Sequence, residues 1–127
     1  MITKLLKTLV ATSIAFAPAA AMAGSHSQCS NDTWNKVMSR GKLVVGVKAD
    51  YKPWGYRDSS GEIVGMEIDM AKDVAAAMNV DLELVPVQSS NRMQFLEQGK
   101  IDMMIATMSD RVDRRKIVGI TQPNYYT

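Results

Sequence analysis

The sequence predicts an α/β domain on a parallel sheet, and three observations carry that prediction. Apolar runs of strand length recur at residues 43–47 (LVVGV), 82–87 and 101–106 (IDMMIA). Stretches with helical spacing lie between them, at residues 66–78 and 91–98. The first run is apolar without alternation, which implies burial on both faces, as in a central parallel strand. Strand, helix, strand, helix, strand at this spacing calls for right-handed crossovers and a parallel βαβαβ sheet.

Before the domain comes a leader. Lys4 and Lys7 form a positive start, residues 9–21 an alanine-rich apolar stretch, and Ala21-Met22-Ala23 a small-residue cleavage site. This three-part pattern predicts a secretory signal peptide over residues 1–23, cut after Ala23. The apolar stretch is short for a membrane span. The chain of 127 residues carries a formal charge of +2, and Lys4 and Lys7 account for both units. The remainder balances 13 basic against 13 acidic residues, which argues against nucleic-acid binding. The single cysteine, Cys29, has no partner for an internal disulfide, and no lipobox precedes it. It reads as a free thiol.

Residues 24–40 read as a small polar tail followed by a short helix over 31–40. Ser30 or Asp32 would cap it, Trp34, Val37 and Met38 share a face, and Gly41 ends it. Residues 49–56 read as a loop holding Pro53 and Gly55. Asp58-Ser59-Ser60-Gly61 marks a turn between short extended pieces. In the helix over 66–78, Met66, Met70, Val74 and Met78 recur at every fourth position beside Ala71 and Ala75. They predict an apolar core stripe, with Glu67, Asp69, Lys72 and Asp73 mainly off it. Asn79 suits its C-terminus. For the helix over 91–98, Ser90 is the expected N-cap and Gly99 the stop. Either Met93 with Leu96 or Phe95 with Leu96 faces the core. Residues 111–116 read as a basic helical turn and residues 117–121 as a fourth strand.

Ligands of parallel α/β sheets bind beyond the carboxyl ends of the strands. Three loops qualify, at residues 48–54, 88–92 and 107–114. The first offers Tyr51 and Trp54 as aromatic walls for a side chain or a cation, or as packing for the loop itself. The second carries Ser89 and Arg92. A cation on the first turn of a helix is mildly unfavourable, which favours a functional reason for Arg92. The third holds Thr107, Ser109 and Arg114, two hydroxyls and a guanidinium able to take a carboxylate. On spacing alone a second reading stands level: Ser109 or Asp110 caps the next helix and Arg114 is a solvated charge. The sequence has no nucleophile elbow, zinc spacing or phosphate-cradling glycine loop. No catalytic residue, metal ligand or cofactor is assigned, and binding is favoured over catalysis.

The run Gly65-Met66-Glu67-Ile68-Asp69-Met70-Ala71, read with Val74, resembles the signature of polar amino-acid solute-binding proteins of ABC importers. GKLVVGVKADYKPWGY before it and LEQGKIDMMIATMSDRVDRRKIVGITQPNYY after it extend the resemblance over residues 41–126. Met66 departs mildly, since an aromatic or aliphatic residue is usual there. The resemblance implies a type II periplasmic-binding-protein fold, with residues 41–127 forming an incomplete first lobe. It implies that Thr107, Ser109 and Arg114 hold the α-carboxylate and α-amine of a free amino acid. Tyr51 and Trp54 would line the side-chain pocket. Ser89 and Arg92, with Lys48 nearby, would meet the side chain and favour an acidic one. The implied protein is periplasmic and monomeric and delivers its ligand to an ABC permease in the inner membrane. Relatives run to about twice this length, so the chain is expected to be a truncated form with an unfinished sheet edge. The same scaffold also serves secreted dehydratases of cyclic carboxylic acids and sensor modules of receptors, which are the alternatives.

Overall fold

The computed structural model describes residues 32–123. The leader, Ser30, Cys29 and the tail tyrosines lie outside the described residues. The elements run α1 (Asp32–Arg40), β1 (Lys42–Val47), β2 (Asp50–Tyr51), β3 (Gly55–Arg57), β4 (Ile63–Val64), α2 (Met66–Met78), β5 (Asp81–Pro86), α3 (Arg92–Glu97), β6 (Met103–Ile105) and α4 (Val112–Arg115).

The expected parallel sheet is present, in the order β5-β1-β6. Strand β1 is its centre, and both of its neighbours run parallel to it. Its two faces feed two cores. Leu43, Val45 and Val47 point to one, with Ile68, Ala71 and Ala75 of α2 and Val37 of α1. Val44 points to the other, where Phe95 and Leu96 of α3 pack with Val87, Ile101 and Ala106. Helices therefore cover both faces, which is why β1 reads as an unbroken apolar run. The Phe95-Leu96 alternative for α3 holds.

Helix α2 has the expected bounds, but its buried face is turned from the expected one. Its buried residues are Glu67, Ile68, Ala71 and Ala75. Met70, Val74 and Met78 are only partly buried, and Met66 is 45% exposed. Alanines at the centre let the helix approach the sheet closely, and flexible methionines fill the flanks. Burying Ile68 completely contributes about 1.5–3 kcal/mol.

Three further expectations are corrected. The 49–56 loop is partly ordered as β2 and β3, which with β4 form an antiparallel three-stranded sheet. Helix α3 is capped at Asn91 rather than Ser90, and the Asn91 Oδ1 instead accepts the Gln88 N–H at 2.9 Å. Residues 117–121 form no strand, because the N–H groups of Ile117 and Val118 both turn back to the Arg114 carbonyl.

Strand β6 is fixed to β1 by an acid the sequence reading left unassigned. The Asp102 side chain is 3% exposed, accepts the Val44 N–H at 2.9 Å and pairs with Arg40. Among the described residues no helix is long and apolar enough to cross a membrane.

Candidate site at the carboxyl rim of the parallel sheet

In register, Val47 lies beside Pro86 on one side and Ile105 on the other. The three strands thus end at one level, and the loops that leave them share one rim. From β1 the chain passes to β5 on one side, and from β5 it returns to β6 on the other. That reversal makes the rim a topological switch point, where open α/β sheets hold ligands.

The first wall is the β2–β3 region. It folds back onto the end of β1 so closely that a Cβ at Gly55 would stand 2.3 Å from the Lys48 carbonyl oxygen. Lys48 itself is buried, with its Nζ 2.8 Å from Asp50 Oδ1. Tyr51 is 52% exposed, while Trp54 is half-buried. Helix α2 holds this wall from behind: the Met66 N–H donates to the Pro53 carbonyl and the Glu67 N–H to the Trp54 carbonyl, at 3.2 and 2.9 Å. Gly65 permits that contact. Its φ of +132° suits glycine alone, and a Cβ there would lie 2.4 Å from the Trp54 oxygen.

The third loop begins with Thr107, whose φ of +47° is unusual for a β-branched residue. Its N–H donates to Oε1 of Glu67, a side chain with no exposed surface. The sequence pattern places Glu67 mainly off the apolar stripe of α2 and within the family-like run, with no contact assigned to it. Arg92, also buried, donates from Nη1 to the Ala106 carbonyl at 2.5 Å. It is therefore not a surface charge. Ser89, on the loop leading to Arg92, is exposed at the rim.

Ser109 and Arg114 come together: Arg114 Nη1 donates to the Ser109 carbonyl at 2.7 Å. Ser109 is exposed and Arg114 half-exposed. Neither Ser109 nor Asp110 caps α4, whose N-cap is Arg111 without a side-chain bond. Asp110 instead pairs with Arg115 and accepts from Gln122 Nε2 at 3.0 Å. The hydrogen bond from Arg115 to Asp110, with the Asp110 charge behind it, holds the Arg115 guanidinium still more firmly in its cationic form. Arg111 does the converse to Asp113, lowering its carboxyl below the ordinary range.

The connections that follow β1, β5 and β6 thus carry Tyr51 in β2, Trp54, Ser89, Arg92 at the start of α3, Thr107, Ser109 and Arg114 in α4. A separate cleft of about 260 Å³ lies elsewhere, lined by Thr33, Lys36, Gly99, Asp102 and Val118 among others. Its carboxylate is already engaged by Arg40 and the Val44 N–H, so the rim is the better ligand surface.

Known proteins resemble this chain in sequence and fold. A glutamine-binding protein of Geobacillus stearothermophilus is 36% identical over 98 residues, covering 74% of this chain and 37% of that protein. A cyclohexadienyl dehydratase of Pseudomonas aeruginosa is 28% identical over 102 residues, covering 80% of this chain and 38% of that protein. The chain thus spans well under half the length of these relatives. Among solved structures, the arginine-bound form of domain 1 from TmArgBP superposes with a TM-score of 0.62 at 36% identity, covering 64% of each chain. The sequence pattern of the bacterial extracellular solute-binding proteins, family 3, matches residues 43–127. The chain belongs to that family.

Proposed function

We propose that this chain forms the first lobe of a binding protein for a polar amino acid, which it passes to an ABC permease. The observation that carries the reading is the loop after β6, where Arg114 is fixed against Ser109 and its charge stands half-exposed at the rim. A guanidinium anchored through one N–H keeps others for a carboxylate, the α-carboxylate in this reading. Thr107 and Ser109 add hydroxyls for the α-amine and α-carboxylate, Tyr51 and Trp54 the side-chain walls, and Ser89 and Arg92 polar contacts at the far end. Two cations at the rim, Lys48 and Arg92, favour an acidic side chain, although Asp50 offsets part of that preference. No chemistry is performed on the ligand. The family likeness supports a protein that works outside the cytoplasm, and the three-part leader supports a cut after Ala23; the reading takes the protein as a periplasmic monomer.

An arginine-bound domain 1 in a relative supports binding by a single lobe. Isothermal titration of the purified chain with L-glutamate, L-glutamine, L-arginine, L-histidine and L-cystine tests the reading. Heat at one-to-one stoichiometry is expected with at least one of them, and silence with all five would sink it. The dehydratase relative motivates a second reading, in which Arg114 holds the carboxylate of a cyclic acid. Turnover of a cyclohexadienyl carboxylic acid by the purified protein would decide for it.

A further inference from the structure

The Ala106–Thr107 peptide unit is held at both of its polar ends by buried ionisable side chains. Its carbonyl accepts from Arg92 Nη1 at 2.5 Å, and its N–H donates to Glu67 Oε1. Arg92 is 7% exposed and Glu67 is 0% exposed. The polarity fits: a guanidinium sits on the negative end of the peptide dipole and a carboxyl on the positive end. Hydrogen bonds involving ionised partners are about twice as strong as neutral ones, and more so away from water.

This peptide is where the chain leaves β6 for the loop carrying Ser109 and Arg114. It also precedes the left-handed Thr107, a conformation that persists only where surrounding structure holds it. Glu67 does a second thing. Its own N–H donates to the Trp54 carbonyl. One residue therefore joins the aromatic wall, through its backbone, to the loop bearing the hydroxyls and Arg114, through its carboxyl. Arg92 ties the same peptide to the start of α3, and so brings in the loop that carries Ser89.

We infer that Glu67, with Arg92 opposite it, is a positioning residue: it clamps the Ala106–Thr107 peptide and sets the spacing between the walls of the ligand site. It reaches the ligand only through Thr107. The inference rests on the proposed amino-acid site for its functional consequence, but the clamp can be observed without ligand.

The test compares Glu67→Gln and Glu67→Met with the unaltered 127-residue chain. Glutamine keeps an oxygen for the Thr107 N–H, whereas methionine keeps the volume and loses the acceptor. In amide NMR spectra, the Thr107 proton is expected downfield and slow to exchange in the unaltered chain. It should be intermediate in Glu67→Gln, and shifted upfield with loss of protection in Glu67→Met. Titration with the same five amino acids should show Glu67→Met weaker by about tenfold or more, the scale of a buried hydrogen bond to a charged group. Glu67→Gln should recover part of that loss. A Thr107 amide unchanged in Glu67→Gln, or a Glu67→Met variant that binds within twofold of the unaltered chain, overturns the inference. If Glu67→Met does not fold, the Thr107 resonance in Glu67→Gln still decides. If the unaltered chain binds none of the five, the proposed function falls, and the amide spectra judge the clamp alone.

Discussion

Replacing Asp102 by alanine removes a side chain that fastens the start of β6 to the centre of the sheet. Two interactions go. The Val44 N–H, on a strand buried on both faces, loses its acceptor at 2.9 Å, and an unsatisfied buried donor costs about 1–3 kcal/mol. The pair with Arg40 is also lost, but the Arg40 side chain is 34% exposed and regains water, so this adds about 0–1 kcal/mol. Arg40 keeps its bonds to the Lys42 carbonyl, which limits the damage further. The expected total is about 1–4 kcal/mol, a fall in Tm of roughly 4–30 °C for a domain of this size. Asp102→Asn retains an oxygen for Val44 and should lose about 1 kcal/mol. Urea unfolding followed by tryptophan fluorescence measures both, with the m-value checking that cooperativity survives. An Asp102→Ala midpoint indistinguishable from that of the unaltered chain would refute the reasoning, since the Val44 N–H would then have another acceptor.

Gly65→Ala should destabilise by about 2–4 kcal/mol, because its φ of +132° excludes a side chain and the Trp54 carbonyl occupies the space. Thermal unfolding by circular dichroism reads it, and trypsin cleavage after Arg57 should accelerate. Arg114→Lys keeps the charge but not the planar fork, so amino-acid affinity should fall by about tenfold while Tm stays within about 2 °C, as measured by titration and calorimetry. Asp58 is held below the ordinary carboxylate range, first by the Ser60 hydroxyl and then by backbone N–H groups. A lowered carboxyl contributes stability above its unfolded pKa and loses it as pH falls through the lower folded value. Ser60→Ala should therefore raise the Asp58 pKa toward the ordinary range in an NMR titration and flatten the acid limb of the stability profile.

The parallel sheet and its central strand were legible because β1 is buried on both faces and so spells four apolar residues and a glycine spacer without interruption. Helix α2 was legible in its bounds but not in its orientation. Methionine outranks alanine as a hydrophobe, yet in a helix pressed against a sheet the small residues take the centre and the large ones the margins. Glu67 and Asp102 could not be found from the linear pattern. Each is an acid in a place where a solvated acid is ordinary, and its partner lies 40 or more residues away. Arg92 left a clue, a cation where the first turn of a helix does not favour one, and the structure turns that clue into a buried contact with Ala106. The polar residues of the loop after β6 were visible by type, but the left-handed Thr107 that begins it was not, because the Glu67 carboxyl holding its N–H comes from a distant part of the chain.

The junction between α2 and the loop bearing Trp54 is made of backbone groups: two N–H donors, two carbonyls and a glycine that makes room. None of these atoms depends on which side chains the loop displays. Evolution can therefore repaint the proposed ligand surface at Tyr51, Trp54, Ser89 and Ser109 while the geometry that supports it stays constant. A lobe built in this way separates what holds the site in place from what chooses its ligand, so a change of ligand need not put folding at risk.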